Sequence, residues 1–137
     1  MPSLVRNEEV GLDICWITVR RKKDLCSTTT FALANGLVDS GHRLTLLNPD
    51  TEQDHVAQLW NQHKLVQSKK KGFHASSLAS SAIKWLKENE DSDFDVYLID
   101  WQVAKKIVPY LKTNNKRIIL MDRSPPADIS FLGKLQW

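Results

Sequence analysis

The chain has 137 residues, a length that suits one domain with its own hydrophobic core. Its composition, 42% hydrophobic and 26% charged, is that of an ordinary globular domain, and no apolar run approaches the roughly 20 residues of a membrane span. The net charge of +3 is too small to indicate nucleic-acid binding. Two cysteines do not make a disulfide framework. Because the first residues lack the order of a signal peptide, we expect a cytoplasmic protein.

After a lead-in over residues 1–12, residues 13–50 predict a strand, a loop, a helix and a second strand. The loop is basic, with the run Arg20–Lys23. Ser27–Thr30 offer N-caps for the helix, and Gly41 is a natural stop for it. This is a βαβ unit, in which the loop after the first strand is a common ligand-binding position.

Apolar strands continue to alternate with amphipathic helices after Asp50. We expect a helix over 51–63, a short strand at Leu65–Val66, a helix over 74–89, a strand over 95–99, a helix over 102–112 that Pro109 kinks or splits, and a last strand over 116–121. This alternation predicts an α/β fold, with a single doubly wound open parallel sheet of about five strands over residues 13–137.

The basic loop is the first candidate binding site. Ligands of such sheets bind outside the carboxyl ends of the strands, and cations beside the N-terminus of a helix attract phosphate or other anions. The candidate residues here are Arg20, Arg21, Lys22 and Ser27. The alternative is a loop whose charges only keep it soluble. The chain has no G-x-G-x-x-G and no Walker A sequence, which disfavours dinucleotide binding in the usual manner and P-loop chemistry.

Two further loops begin with an aspartate directly after an apolar strand. These are Asp100, and Asp122 with its neighbour Arg123, and all three are candidates for polar contacts with a ligand. Helix capping by Asp100 is the alternative. The four histidines do not cluster, so we predict no metal site. The chain also has no G-x-S-x-G elbow, which disfavours a serine hydrolase, and we assign no catalytic residue.

The run Lys69–Lys71 before the helix over 74–89 invites a membrane-surface interpretation. The lysines would meet anionic headgroups while Phe73, Leu78 or Trp85 entered the bilayer surface. The alternative is an ordinary surface helix that packs its apolar side on the sheet.

The helix and strand over residues 29–47 carry a family resemblance. Leu33-Ala34-Asn35-Gly36-Leu37 and Gly41-His42 match the pattern LA-x-GL-x-x-x-GH. This segment resembles the first helix and second strand of GT-B glycosyltransferases of the glycogen-synthase-like family 4. Residues 94–100 and 116–123 resemble later strands of the same domain. The resemblance covers most of residues 13–128, which corresponds to the N-terminal, acceptor-side domain of such an enzyme.

The resemblance implies an enzyme that transfers a sugar from a nucleotide-sugar to an acceptor, with retention of configuration. The nucleotide-sugar would be held by a C-terminal domain that is absent from this sequence, so we expect no turnover by this chain alone. The resemblance implies no metal or other cofactor, since cationic side chains and helix dipoles neutralise the leaving diphosphate. Arg20, Arg21 and Lys22 would bind anionic groups of the acceptor, and Asp100, Asp122 and Arg123 would make polar contacts in the cleft.

The sequence departs from the family pattern at two places. Residues 20–27 stand where the family usually has glycines near the donor phosphates, and Asp122 stands where it usually has a histidine. A lipid-phosphate acceptor and a peripheral membrane contact would suit the basic loops. Two alternatives stay open: a stand-alone flavodoxin-like or receiver-like signalling or interaction domain, and a subunit that recruits a separate catalytic half.

Overall fold

The computed structural model describes residues 11–21, 27–50, 60–67 and 72–121. The helices and strands within these ranges are β1 Asp13–Ile17, α1 Ser27–Asp39, β2 Arg43–Asn48, β3 Asn61–Lys64, α2 His74–Glu88, β4 Val96–Asp100, α3 Trp101–Thr113 and β5 Ile118–Met121. The strands form one sheet in the order β3-β2-β1-β4-β5, and every pair is parallel. This confirms the predicted α/β fold with an open, doubly wound sheet.

The strand order reverses its direction between β1 and β4. The chain leaves β1 through α1 toward β2 on one side, and it leaves β4 through α3 toward β5 on the other. In open α/β sheets, the crevice for a ligand lies outside the carboxyl ends of the strands at such a switch point. The order is that of Rossmann-type sheets, whereas flavodoxin-like and receiver-like domains have the order 2-1-3-4-5. The alternative of a flavodoxin-like or receiver-like domain is therefore wrong.

The sheet buries a hydrophobic core on each face. One face packs against α2 and α3, and its core includes Cys15, Ile17, Leu47, Ile99, Leu78, Ala82, Ile107 and Leu111. The other face packs against α1, and its core includes Ile14, Trp16, Leu44, Leu46, Leu98, Ala34 and Trp60. Trp16 is fully buried, as its place in the first strand predicts. Because both faces are covered, the central strands are apolar at consecutive positions rather than alternating ones.

The end of α1 confirms the glycine stop. Gly41 has a φ of +97°, and its amide donates to the carbonyl of Val38 at 2.9 Å. The amide of His42 donates to the carbonyl of Leu37 at 3.1 Å, which completes a Schellman motif. The start of the helix differs from the prediction, since Thr28–Thr30 lie within its first turn rather than before it.

The third strand also differs from the prediction. It is Asn61–Lys64, where we expected the end of a helix over 51–63 and then a strand at Leu65–Val66. The first part of that expected helix, residues 51–59, lies outside the described residues. The polar sequence Asn-Gln-His-Lys has little strand propensity, but a strand at the edge of a sheet needs only one paired side and can expose polar groups. His63 is therefore in a strand and not on a helix.

Pro109 does not split α3, which runs without interruption from residue 101 to residue 113. Proline removes one helical hydrogen bond, which disfavours the helix. The apolar side of the helix offsets this loss, because Val103, Ile107 and Leu111 are each at most 2% exposed and pack on the sheet.

α2 packs as an ordinary amphipathic helix. Leu78 is fully buried in the core between the helices and the sheet, so the interpretation that it enters a membrane is wrong. Trp85 is half-buried, with its ring centroid 5.0 Å from that of His63 and 6.3 Å from that of Phe94. Phe73, just before the helix, is 51% exposed. Within the described residues, none of the helices has the length and apolar character needed to cross a membrane.

The two edge strands of the sheet differ in their chemistry. β3 exposes polar side chains, whereas Ile119 and Leu120 of β5 are 51% and 54% exposed on opposite faces of the sheet. Edge strands are usually short or charged, and continuous apolar runs are typical of strands buried on both faces. Beside β5 lies a groove of about 470 Å³, lined by apolar residues of α3 and β5 with Lys105 and Lys112 among them. β5 thus has the sequence of an interior strand.

Candidate functional site

The candidate site is the crevice at the carboxyl ends of β1 and β4. Asp100, the last residue of β4, is 5% exposed, and Thr18, directly after β1, is fully buried. The Asp100 carboxylate accepts a hydrogen bond from the indole Nε1 of Trp16 at 3.0 Å and another from the hydroxyl of Thr18. These two side-chain hydrogen bonds connect the β1 segment to β4 at the switch point of the sheet.

The environment of Asp100 shifts the pKa of its carboxyl group upward. Burial raises the pKa of Asp100 above its ordinary value of 3.8, since a buried charge loses its hydration. The hydrogen bonds from Thr18, Trp16 and the Val19 amide, together with the charge of Arg20, act in the opposite direction. Burial is the largest of these effects, so the raised pKa is the net result.

Asp100 does not cap the helix that it precedes. It occupies the N-cap position of α3 with extended backbone angles, but its side chain makes no capping hydrogen bond. Its carboxylate accepts instead from three donors of the β1 segment, the Trp16 indole, the Thr18 hydroxyl and the Val19 amide. The capping alternative is therefore wrong, and the structural role of Asp100 is to hold the loop after β1.

That loop is held from both sides. Its Arg20 amide donates to the hydroxyl oxygen of Thr18 at 3.0 Å, and its Arg20 carbonyl accepts from the side-chain amide of Asn48 at 2.9 Å. The amide of Thr18 donates to the carbonyl of Leu47 at 3.0 Å. Because β2 fixes one side of the loop and β4 the other, the half-buried Arg20 side chain starts from a defined backbone position beside the crevice.

A second group of buried polar side chains lies at the carboxyl ends of β2 and β3. The side-chain amide nitrogen of Asn48 donates to the carboxylate of Asp50 at 3.3 Å. The side-chain oxygen of Asn48 accepts a hydrogen bond from the amide nitrogen of Gln62. All three residues are at most 5% exposed. Next to them, the guanidinium of Arg21 donates to the side-chain oxygen of Gln67 at 3.0 Å. Arg21 thus reaches toward the segment after β3, away from β4.

The structure brings together only part of the predicted site. Arg20 and Asp100 both lie at the crevice, where the charge of Arg20 acts on the Asp100 carboxyl, and Arg21 lies beside it on the β3 side. Ser27 is the first residue of α1, which is all that the structure describes of it. The remaining predicted site residues, Lys22, Asp122 and Arg123, lie outside the described residues. Sequence reasoning missed Thr18, Trp16 and Asn48, whose roles depend on contacts between distant segments.

The groups at the crevice suit the binding and orientation of an anion. Arg20 supplies a guanidinium, which binds phosphate or carboxylate through paired hydrogen bonds. In the described part of the chain, His, Cys, Asp and Glu form no group of three or more that could hold a metal ion. Cys15 is fully buried in the core, where burial raises the pKa of its thiol, so it is not an activated nucleophile.

Comparisons with known proteins give similarity of fold alone. No family model matches the chain, and no curated protein matches it. The structure is similar to that of a glycosyltransferase of kitacinnamycin, with a TM-score of 0.63 and 16% identity over 82% of this chain and 30% of that one. This chain therefore spans less than a third of the length of that glycosyltransferase.

The fold is also similar to the C-terminal domain of a hydrogenase from Pyrococcus furiosus. One structure of that domain gives a TM-score of 0.57 with 11% identity, covering 80% of this chain and 90% of that one. A second gives 0.55 with 12% identity, covering 79% and 89%. The two kinds of neighbour share a fold with this chain and differ in name and activity, so function must be argued from the site.

Proposed function

We propose that this chain is the acceptor-binding, N-terminal domain of a GT-B glycosyltransferase of the family 4 type. The complete enzyme transfers a sugar from a nucleotide-sugar to an acceptor, with retention of configuration. The observation that carries the proposal is the fixed crevice at the switch point, where the buried Asp100 and Asn48 hold the loop that carries Arg20. The sequence resemblance over residues 29–47 and the fold shared with a glycosyltransferase of known structure support it.

The crevice favours an acceptor that carries a phosphate. The guanidinium of Arg20 offers two parallel donors to a phosphate group, and α1 begins a few residues later along the same connection. Asp100 holds the loop that carries Arg20 through Thr18, so the cation is positioned before the ligand arrives. A lipid-linked phosphate is the acceptor class that we propose.

The edge formed by β5 supports a position within a larger protein. Its exposed Ile119 and Leu120 suit a sheet that continues into a further strand. The similar glycosyltransferase is more than three times as long as the part that this chain covers. We propose that a second, C-terminal domain holds the nucleotide-sugar opposite the crevice and that this chain alone does not transfer sugar.

Titration of the chain with a short-chain prenyl phosphate, followed by amide NMR, tests the acceptor site. We expect the amides of residues 18–21 and 100–101 to shift with the phosphate but not with the corresponding prenyl alcohol. Arg20→Ala should weaken binding about tenfold, the loss of one charge-assisted hydrogen bond. Arg117→Ala is the matched control, because Arg117 is exposed and precedes β5 at the opposite end of the sheet.

Three results would overturn this assignment. If the prenyl phosphate leaves the amides of residues 18–21 unmoved, or if Arg117→Ala weakens binding as much as Arg20→Ala, the crevice is not an acceptor site. If a nucleotide-sugar such as UDP-glucose saturates the same amides, the crevice holds the donor, and the division of labour between two domains is wrong.

A further inference from the structure

Three large apolar side chains are exposed around the carboxyl end of the sheet. Val66 follows β3, Phe73 immediately precedes α2, and Trp101 is the first residue of α3. Their exposed fractions are 74%, 51% and 45%. Exposed apolar side chains that gather at one end of a domain are typical of a surface that contacts a partner or a membrane.

Phe73 and Trp101 stand at the starts of two helices that pack side by side. α2 and α3 both begin at the carboxyl end of the sheet and cover the same face of it. The Lys106 ammonium of α3 contacts α2 near its start, 2.9 Å from the hydroxyl of Ser80 and 3.4 Å from the carbonyl of Ser76. The two aromatic side chains therefore lie at the same end of the domain, each at the start of one of two packed helices.

The accessible carboxylates of the described residues lie at the other end. They are Asp13 at the start of β1, Asp39 at the end of α1, and the five acidic residues of the segment from Glu88 to Asp95, which leads into β4. The described carboxylates at the carboxyl end, Asp50 and Asp100, are both 5% exposed. Within residues 11–21, 27–50, 60–67 and 72–121, the surface acids are thus gathered away from the exposed aromatic side chains.

Cations accompany the exposed aromatic side chains. Arg20 and Arg21 follow β1 and are half-buried, and the exposed Lys64 ends β3. Aromatic side chains beside Arg and Lys, with no competing surface carboxylate among the described residues, are typical of a surface that lies at a membrane interface. Anionic headgroups would meet the cations, and the region below the headgroups would take up the rings.

We propose that the carboxyl end of the sheet docks on an anionic lipid bilayer, with Phe73 and Trp101 inserted at its surface. A nucleic acid would need a basic stripe and would gain little from an exposed Val66 or Phe73. The proposal goes beyond the glycosyltransferase function and does not depend on it. It places the mouth of the crevice against the lipid surface.

Co-sedimentation of the chain with vesicles tests the proposal. The vesicles are phosphatidylcholine alone, or phosphatidylcholine with about a quarter phosphatidylglycerol, at about 0.1 M and about 0.5 M salt. We expect binding to the anionic vesicles that weakens at the higher salt concentration. Phe73→Ser and Trp101→Ser should each lower the partition coefficient about tenfold, and Phe73→Trp should preserve it.

Ile119→Ser is the matched control, because Ile119 has the same exposed fraction as Phe73 but lies on β5. It should bind vesicles as the unmodified chain does. Circular dichroism checks that each variant is folded, which substitution of an exposed side chain should preserve. Vesicles without prenyl phosphate separate this test from the acceptor titration, so either proposal can fail alone.

Three outcomes would overturn the proposal. The unmodified chain could fail to bind anionic vesicles, or Ile119→Ser could lose as much binding as Phe73→Ser. In the third outcome, both serine variants at the aromatic positions would bind like the unmodified chain. Poly-glutamate offers negative charge without an apolar phase and should bind at least about tenfold more weakly than the vesicles. Equal binding would assign this surface to an acidic protein instead.

Discussion

Replacing Asp100 by alanine is expected to destabilise the domain and release the loop after β1. The carboxylate is 5% exposed and accepts from Trp16 Nε1 and from the Thr18 hydroxyl. Alanine leaves both buried donors without an acceptor, and each such donor costs about 1–3 kcal/mol. The simple sum for two donors is about 2–6 kcal/mol.

The expected loss of stability lies in the lower part of that range, because burial of the Asp100 carboxylate is itself unfavourable and raises its pKa. Alanine removes this unfavourable burial together with the hydrogen bonds. We therefore expect the free energy of unfolding to fall by about 2–4 kcal/mol, a large share of the roughly 5–15 kcal/mol of a typical domain. Asp100→Asn keeps one acceptor and the shape of the side chain, so it should cost about 1 kcal/mol.

Urea unfolding followed by far-ultraviolet circular dichroism measures these differences. Asp91→Ala is the control, because Asp91 is exposed in the loop before β4 and should change the free energy of unfolding by less than about 0.5 kcal/mol. If Asp100→Ala is as stable as Asp91→Ala, the hydrogen bonds of Asp100 do not stabilise the fold, and the reasoning fails. A cost for Asp100→Asn equal to that of alanine would show that the charge, and not the shape, is required.

The pH dependence gives an independent check on Asp100. Its pKa is above 3.8 in the folded state, so between 3.8 and the folded value the native state binds more protons than the unfolded state. The contribution of this group to stability is therefore fully present below pH 3.8 and is lost as pH rises through the folded pKa. The stability of the unmodified chain relative to Asp100→Asn should fall over this window, and a rise would contradict the assignment.

Four further substitutions test the end of α1, the loop after β1 and the ion pair of Arg43 with Asp13. Gly41→Ala should lower the free energy of unfolding by about 1–2 kcal/mol, because the φ of +97° strains an L-residue, whereas Gly36→Ala in α1 meets open space and should raise it by about 0.5–1 kcal/mol. If thermal unfolding shows that both glycine substitutions change the free energy of unfolding in the same direction, the assignment of the Schellman motif is wrong. Thr18→Val should lower the free energy of unfolding by about 1–2 kcal/mol. It should also raise the pKa of Asp100 further, because the Thr18 hydrogen bond lowers that pKa. Carbon-13 NMR titration measures the Asp100 pKa, and an unchanged value would refute this role of Thr18. Arg43→Ala should raise the pKa of Asp13, whose ordinary value is 3.8, because the guanidinium hydrogen bond lowers it in the unmodified chain. The stability from this pair is present above that value and is lost as pH falls, and a pKa that stays low in the same titration would exclude Arg43 as its cause.

The local signals of the sequence were sufficient for most elements. Short apolar runs predicted β1, β2 and β4, and helical spacing of apolar residues predicted α2 and α3 within one or two residues. Gly41 predicted the end of α1, because glycine adopts the positive φ of a helix stop without steric cost. The polar strand β3 was missed, since its pairing with β2 carries no signal in its own side chains.

The candidate site was only partly predictable. Arg20 and Asp100 follow apolar strands, and that position alone marked them as candidates. Their relation depends on Thr18 and Trp16, which lie 82 and 84 residues from Asp100 in the chain. Contacts over that separation exist only once the strand order places β1 beside β4.

The sequence by itself determined the alternation of strands and helices, the two-sided burial of the sheet and the basic character of the loop after β1. These features follow from the periodicity and chemistry of neighbouring residues, which act over a few positions. Only the tertiary structure decided the order of the strands, the use of Asp100 as an acceptor for the β1 segment and, for the part of the chain that the structure describes, the separation of surface acids from exposed aromatic side chains. Each of these depends on which distant segments pack together, and packing is set by the whole core.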